Sequence, residues 1–309
     1  MPNRHVHPTR WLIALLLSSV ALPAHAPADA GDKTASDILV RVNGEAITRG
    51  ELELLMLTRS VENPASRALR ERFLQRLIDR RLMRAFLVEQ QIKPGAAATK
   101  ARIEQFHKLI RKRGHEPKPF LKKLGYNDKT FRREIELPLL WQTYLDGVIT
   151  PDELRKHFLA HQQEFDGTRV RASQIYLKLP NSESADAKDQ ALKQLAAVRD
   201  EIAAGAFTFA EAARQHSQAP SATNGGDVGY FTYRGVMPES LTSVAFSLKL
   251  TEMSEPFVSP FGAHLIMVTD RKPGNESLED ARRAVRKHLD RTLWEKNLSE
   301  LRAKTKIER

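Results

Sequence analysis

The feature that most constrains this chain is a change of periodicity. Residues 38–167 and 274–309 read largely as charged amphipathic helix, while residues 168–273 between them break into short β-like runs, glycine-rich turns and short helices. A helix-period segment and a period-two segment cannot share one regular element, so the pattern predicts an α+β unit of about 100 residues set between helical segments. The glycine turns are local: Gly225-Gly226-Asp227-Val228-Gly229 precedes one β-like run, and Phe261-Gly262-Ala263-His264-Leu265-Ile266 opens another.

The N-terminal helical block carries its own punctuation. Ile38-Leu39-Val40-Arg41-Val42 alternates like a short strand, and Asn43-Gly44 supplies a two-residue hairpin turn with Ala46-Ile47 returning. Thr48 followed by Glu51 is a capping box for a helix starting near Gly50. From Ser66 to Gln90, Leu74, Leu77, Ile78, Leu82, Ala85 and Phe86 mark an apolar face, with Arg67, Arg70, Arg76, Arg80 and Arg84 opposite. A second helix runs through Ile103, Phe106, Leu109 and Ile110, and a third through Phe131, Ile135, Leu139, Leu140 and Tyr144. Pro138 inside the third predicts a kink or a break into two helices. Thr150-Pro151-Asp152-Glu153 is a cap with proline at the first helical position. After Pro273, the positions Leu278, Ala281, Val285, Leu289, Leu293 and Leu298 predict one long helix.

The only long apolar stretch lies at the start, Trp11 to Leu22, after Arg4 and Arg10. It is short of the ~20 residues a membrane span needs and is followed by small residues, the pattern of a cleavable secretory signal. Two Ala-x-Ala sites compete. Cleavage after Ala26 would leave Pro27, so the cut is expected after Ala30, giving a signal peptide over 1–30 and a flexible leader over 31–37. Periplasmic export follows as the expectation. The chain has no cysteine, which excludes thiol nucleophiles, thiolate metal sites and lipid attachment at cysteine.

The formal net charge is +11, and Lys100 to Arg133 holds twelve bases against Glu104, Glu116 and Asp128. Basic helices suit nucleic acid, but export removes the chain from it. Polypeptide clients are the expected partners, with at most weak contact with an acidic membrane surface. His157 and His161 stand four apart, the spacing of two metal ligands on one helix face. With no third ligand apparent, a solvated face is the favoured reading, and neither a metal nor a cofactor is expected.

The central segment resembles the parvulin rotamases. Ser173 to Lys178 is similar to that family's first strand, Phe209 to Ser217 to its second helix, and Asn224 to Phe231 to its signature turn and strand. Met237-Pro238-Glu239-Ser240-Leu241 resembles the helix lining the family's proline pocket, and Phe261 to Ile266 its closing hairpin. Val42-Asn43-Gly44-Glu45-Ala46-Ile47-Thr48 resembles the opening of SurA- and PpiC-type periplasmic folding factors, and Trp294 to Ile307 the last helix that returns to their N-terminal domain. The resemblance implies a parvulin domain over 168–273, a small antiparallel sheet surrounded by helices. It is joined to a mainly helical, chaperone-like domain over 38–167 that 274–309 completes.

The implied activity is peptidyl-prolyl cis-trans isomerisation combined with chaperoning of unfolded or newly exported polypeptides containing Xaa-Pro bonds. By position in the motif, Val228, Met237, Leu241 and Phe261 correspond to substrate-binding residues of the proline pocket, and His264 to one of two facing catalytic histidines. Gln174 stands where the other histidine is usual, Ala219 where Cys or Asp is usual, and Leu241 where phenylalanine is frequent. Gln174 can hydrogen-bond but cannot titrate. These departures define the alternative, a non-enzymatic chaperone with a degenerate parvulin domain.

Overall fold

The computed structural model describes residues 37–58, 66–179 and 184–308. The expected signal peptide, and the expected leader up to residue 36, lie outside the described residues.

The chain opens on the hairpin β1 (Ile38–Val42) and β2 (Glu45–Thr48), turned by Asn43 and Gly44, both at positive φ. Helix α1 (Arg49–Thr58) starts on the capping box: Glu51 N–H donates to Thr48 Oγ1 at 3.3 Å, and Thr48 N–H to Glu51 Oε2 at 3.0 Å. Helix α2 (Arg67–Glu89) buries Phe73, Leu77, Ile78, Leu82, Met83 and Leu87, whereas Ala85 is exposed. Its buried face is thus rotated from the one the apolar spacing suggests. Arg81 joins that face because its guanidinium meets Glu51 at 2.8 Å and Glu45 at 2.8 Å. Burial pushes the Glu51 carboxyl up, against the pull of Arg81.

Helices α3 (Ala96–Lys112) and α4 (Pro117–Lys123) lead to α5 (Asp128–Val148). Of the two expectations for Pro138, the break into two helices does not occur: α5 runs on through it as a single helix. Proline removes the N–H that would bond the Glu134 carbonyl four residues back. That carbonyl instead accepts from Arg80 Nη2 of α2 at 2.9 Å, so the orphaned acceptor is satisfied across the helix pair. Helix α6 (Pro151–Ala160) starts at Thr150, whose Oγ1 accepts from Glu153 N–H, and α7 (Gln162–Phe165) follows.

A four-stranded antiparallel sheet comes next in the chain, built from β3 (Arg169–Lys178), β4 (Asp227–Thr232), β5 (Phe257–Ser259) and β6 (Gly262–Lys272) in the order β4-β3-β6-β5. Side chains alternate across its faces. On one face Ile175, Leu177, Ala263 and Leu265 pack against α8 (Ala185–Ala203) and α9 (Phe209–His216). On the other, Val170, Ala172, Ile266 and Val268 pack against Leu241 and Ala245 of α10 (Glu239–Ser247). The α+β expectation holds.

The long helix α11 (Leu278–Lys304) then returns to the N-terminal helices, contacting α2, α6 and α7. Trp141 Nε1 donates to Asp290 at 2.7 Å and its ring meets Trp294 edge-on at 5.0 Å. The last strand, β7 (Ile307–Glu308), pairs antiparallel with β1, making a second sheet in the order β2-β1-β7. One hydrophobic core therefore takes residues from both ends of the described chain, from Val40 to Leu298.

Candidate functional site

The register of the central sheet decides which side chains meet. Strand β6 sets His264 opposite Tyr176 of β3 and opposite Phe257 of β5, with Gln174 opposite Ile266, two pairs along. Alternation therefore puts Gln174, Tyr176, His264 and Ile266 on the face that α10 covers.

His264 is only 3% exposed. Its Nε2 lies 2.8 Å from Ser259 Oγ and its Nδ1 3.4 Å from Gln174 Oε1. With Gln174 Oε1 accepting, the ring proton sits on Nδ1 and the Ser259 hydroxyl donates to Nε2. Ser259 Oγ in turn accepts from Phe261 N–H at 3.0 Å, so its hydrogen-bonding capacity is well used. The imidazole is stacked on Phe257 at 5.4 Å and tilted against Tyr176 at 5.1 Å. Burial among these groups lowers its pKa to about 4, so the ring is neutral at physiological pH.

Two glycines allow this close assembly. Gly226 has φ +80°, and a Cβ there would lie 2.5 Å from the Gln174 carbonyl oxygen. The tight approach lets Gln174 N–H donate to the Gly226 carbonyl at 2.9 Å, holding the Gly-Gly-Asp turn against β3. Gly262 has φ +156°, and a Cβ there would lie 2.4 Å from the Leu177 carbonyl oxygen.

The structure brings together most, but not all, of the residues picked from the sequence. Val228, Met237 and Leu241 belong to one apolar cluster with Phe231, Ile266 and Phe257. Phe257 both packs in that cluster and stacks on His264, and so connects the two. Phe261 lies outside the cluster and is 60% exposed, at the turn between β5 and β6. Its backbone is what the site uses, since its carbonyl accepts from Tyr176 OH at 2.7 Å. Ala219 is buried beside the edge of β3, where Ser217 Oγ accepts from both Tyr176 N–H and Ala219 N–H.

Phe257, Ser259 and Tyr176 were not singled out from the sequence. The signal for the first two was present. Pro260-Phe261 reads as a two-residue turn, and counting outward from it places Phe257 opposite His264. His157 and His161 do not stand on a solvated face. Both are partly buried, and His157 Nε2 lies 2.8 Å from Nδ1 of His288 on α11. Among the described residues, no group of His, Asp and Glu has the arrangement to hold a metal ion.

With this geometry in place, the likenesses to known proteins can be set beside it. Residues 175–270 match the family model of the rotamase, the PPIC-type PPIASE domain. The chain is similar to the foldase protein PrsA of Halalkalibacterium halodurans, 34% identical over 158 residues, covering 50% of this chain and 43% of that protein. It is similar to the chaperone SurA of Albidiferax ferrireducens, 38% identical over 123 residues, covering 40% of this chain and 26% of that protein. The matched stretch thus spans less than half the length of either relative. Among solved structures, the peptidylprolyl isomerase PrsA of Bacillus anthracis is 22% identical, with a TM-score of 0.42, over 74% of this chain and 94% of that one. Residues 175–270 are a PPIC-type rotamase domain.

Proposed function

We propose that this chain is a periplasmic folding factor that isomerises Xaa-Pro bonds in newly exported polypeptides and holds those polypeptides while they fold. The observation that carries the reading is that the rotamase domain keeps an apolar cluster and a buried, neutral histidine on one face of its sheet.

Isomerisation makes and breaks no covalent bond. Its barrier is the ~18–20 kcal/mol cost of losing amide resonance, and a ~10³–10⁵-fold acceleration asks for about 4–7 kcal/mol of preferential stabilisation. An apolar wall of Val228, Met237 and Leu241 takes the proline ring, with Phe261 in reach of the flanking chain. A dry wall disfavours the charge-separated planar amide relative to the twisted one. His264, kept neutral by burial, moves no charge there. It acts with Gln174 and Ser259 as a fixed set of dipoles that orients the site.

The helical part supports the holding function. Between α1, α2, α3 and α5 lies a cavity of about 270 Å³, walled by Leu54, Leu55, Leu77, Phe106 and Ile135 together with Arg80, Arg102, Glu51 and Glu134. Apolar walls beside charges of both signs suit the mixed side chains of an unfolded client.

The test is a protease-free exchange measurement on short Xaa-Pro peptides with the full chain. Turnover above the uncatalysed rate is expected, falling at least tenfold in Met237→Ala; a rate equal to the uncatalysed one would remove the enzyme reading. A second reading, a chaperone whose rotamase domain is silent, is favoured by the 3.4 Å Gln174–His264 contact, long for a hydrogen bond, and by the inert Ala219. It predicts suppression of client aggregation with no turnover.

A further inference from the structure

The loop that carries Met237 docks against α11, and the space between them is not apolar. A cavity of about 300 Å³ opens there, with Met237 and Arg234 on one side, Lys287, His288 and Arg291 of α11 on the other, and Glu239 at the start of α10. Val228, Leu241, Phe261 and His264 do not line it. Of the residues assigned to the proline site, Met237 alone belongs to both.

The charges of this cavity do not cancel. Among the described residues Glu239 is the one carboxylate lining it, and both its oxygens accept from Arg291, at 2.6 and 2.8 Å, while Glu164 and Glu295 act on Arg234 and Arg291 from outside the lining. Arg234 lays its guanidinium over the Phe165 ring at 3.9 Å and donates to the Ala284 carbonyl at 3.3 Å, so it is fixed in place and remains a cation. His288 is engaged by His157 and adds no charge at neutral pH, since burial lowers its pKa. Lys287 is exposed and, among the described residues, has no hydrogen bond or ion pair. The formal balance of the lining is three cations to one anion, with Lys287 unengaged and sharing the cavity with Met237.

We propose that this cavity is an acidic-residue subsite of the rotamase domain, in which Lys287 and the Arg234–Arg291 pair receive an Asp or Glu side chain flanking the client's proline. The inference rests on the proposed isomerase reading. It makes α11, which lies outside the residues matching the rotamase family, a source of substrate preference. The loop brings the preference to bear through Met237, because a chain whose proline contacts Met237 must pass its neighbouring residue along this cationic wall.

The experiment uses the full chain and two series of short peptides, with Glu, Gln or Lys placed immediately before or immediately after the proline. Exchange rates give kcat/KM, and fluorescence anisotropy of labelled copies gives affinity. In one of the two series, Glu should exceed Lys by on the order of fivefold, the scale of one partly exposed ion pair, and the gap should close in high salt. Lys287→Glu should invert the order, whereas the same change at Lys296, further along α11, should leave it. No charge preference in either series, or a preference that Lys287→Glu and salt leave intact, would overturn the subsite. Absence of turnover on every peptide would remove the isomerase reading alone, because the anisotropy titrations would still rank the peptides by charge.

Discussion

The buried histidine carries a pH signature that can be worked out in advance. His264 titrates near pH 4 in the folded chain and near 6.5 when unfolded. As pH falls, the unfolded chain binds its proton first, so the folded state loses stability through the window from 6.5 down to 4 and no further below it. The full loss is about 3 kcal/mol, and between pH 7 and pH 4.5 it amounts to roughly 2–2.5 kcal/mol. His157, whose pKa is also lowered to about 4, and His288, also lowered, add to the raw slope. The clean quantity is therefore the difference between the wild type and His264→Gln, which keeps a polar side chain beside Ser259 but cannot titrate. Urea unfolding followed by circular dichroism, with amide exchange in β6 as a local probe, should show the cost of the substitution shrinking by that amount on acidification. Parallel stability curves within about 0.5 kcal/mol would refute the claim that the ring is held neutral.

Three further outcomes follow from the packing. Ser259→Ala strips the partner from both His264 Nε2 and Phe261 N–H, and should cost about 1–3 kcal/mol in urea unfolding. Gly226→Ala forces a side chain into a φ of +80° and against the Gln174 carbonyl; a loss of at least ~2 kcal/mol, read as a fall in Tm, is expected. Arg81→Ala leaves Glu51, whose side chain is 9% exposed, without its closest charge partner, and should destabilise the helical part by about 3–5 kcal/mol by chemical denaturation, with no loss of amide protection in β6.

Local signals in the sequence carried much of the architecture. The Asn43-Gly44 turn, the Thr48–Glu51 and Thr150–Glu153 caps and the long C-terminal helix are each decided within four or five residues, and each stands where its residues point. What depended on distant partners was not legible. Nothing near Arg81 in the sequence marks it for burial, because Glu51, the partner folded against it, lies thirty positions away. Pro138 leaves the Glu134 carbonyl without its helical donor, and only the fold brings in Arg80 to supply one. At the candidate site, the Gln174–His264 neighbourhood was readable from motif positions. Phe261 stands outside the apolar cluster because the hairpin turn leaves it 60% exposed, and it is Phe257 that bridges the cluster and the histidine. His288 was invisible as a partner of His157 because they lie 131 positions apart.

The pairing of β7 with β1 has a consequence for the order of events as the polypeptide is made. The first hairpin and the helices after it cannot finish their shared core until the last thirty or so residues arrive, because α11 and β7 supply part of it. The rotamase sheet closes within its own segment and has no such wait. A newborn copy would thus pass through a stage in which its middle is shaped while its beginning still exposes greasy surface, itself in need of the care this chain is proposed to give to others.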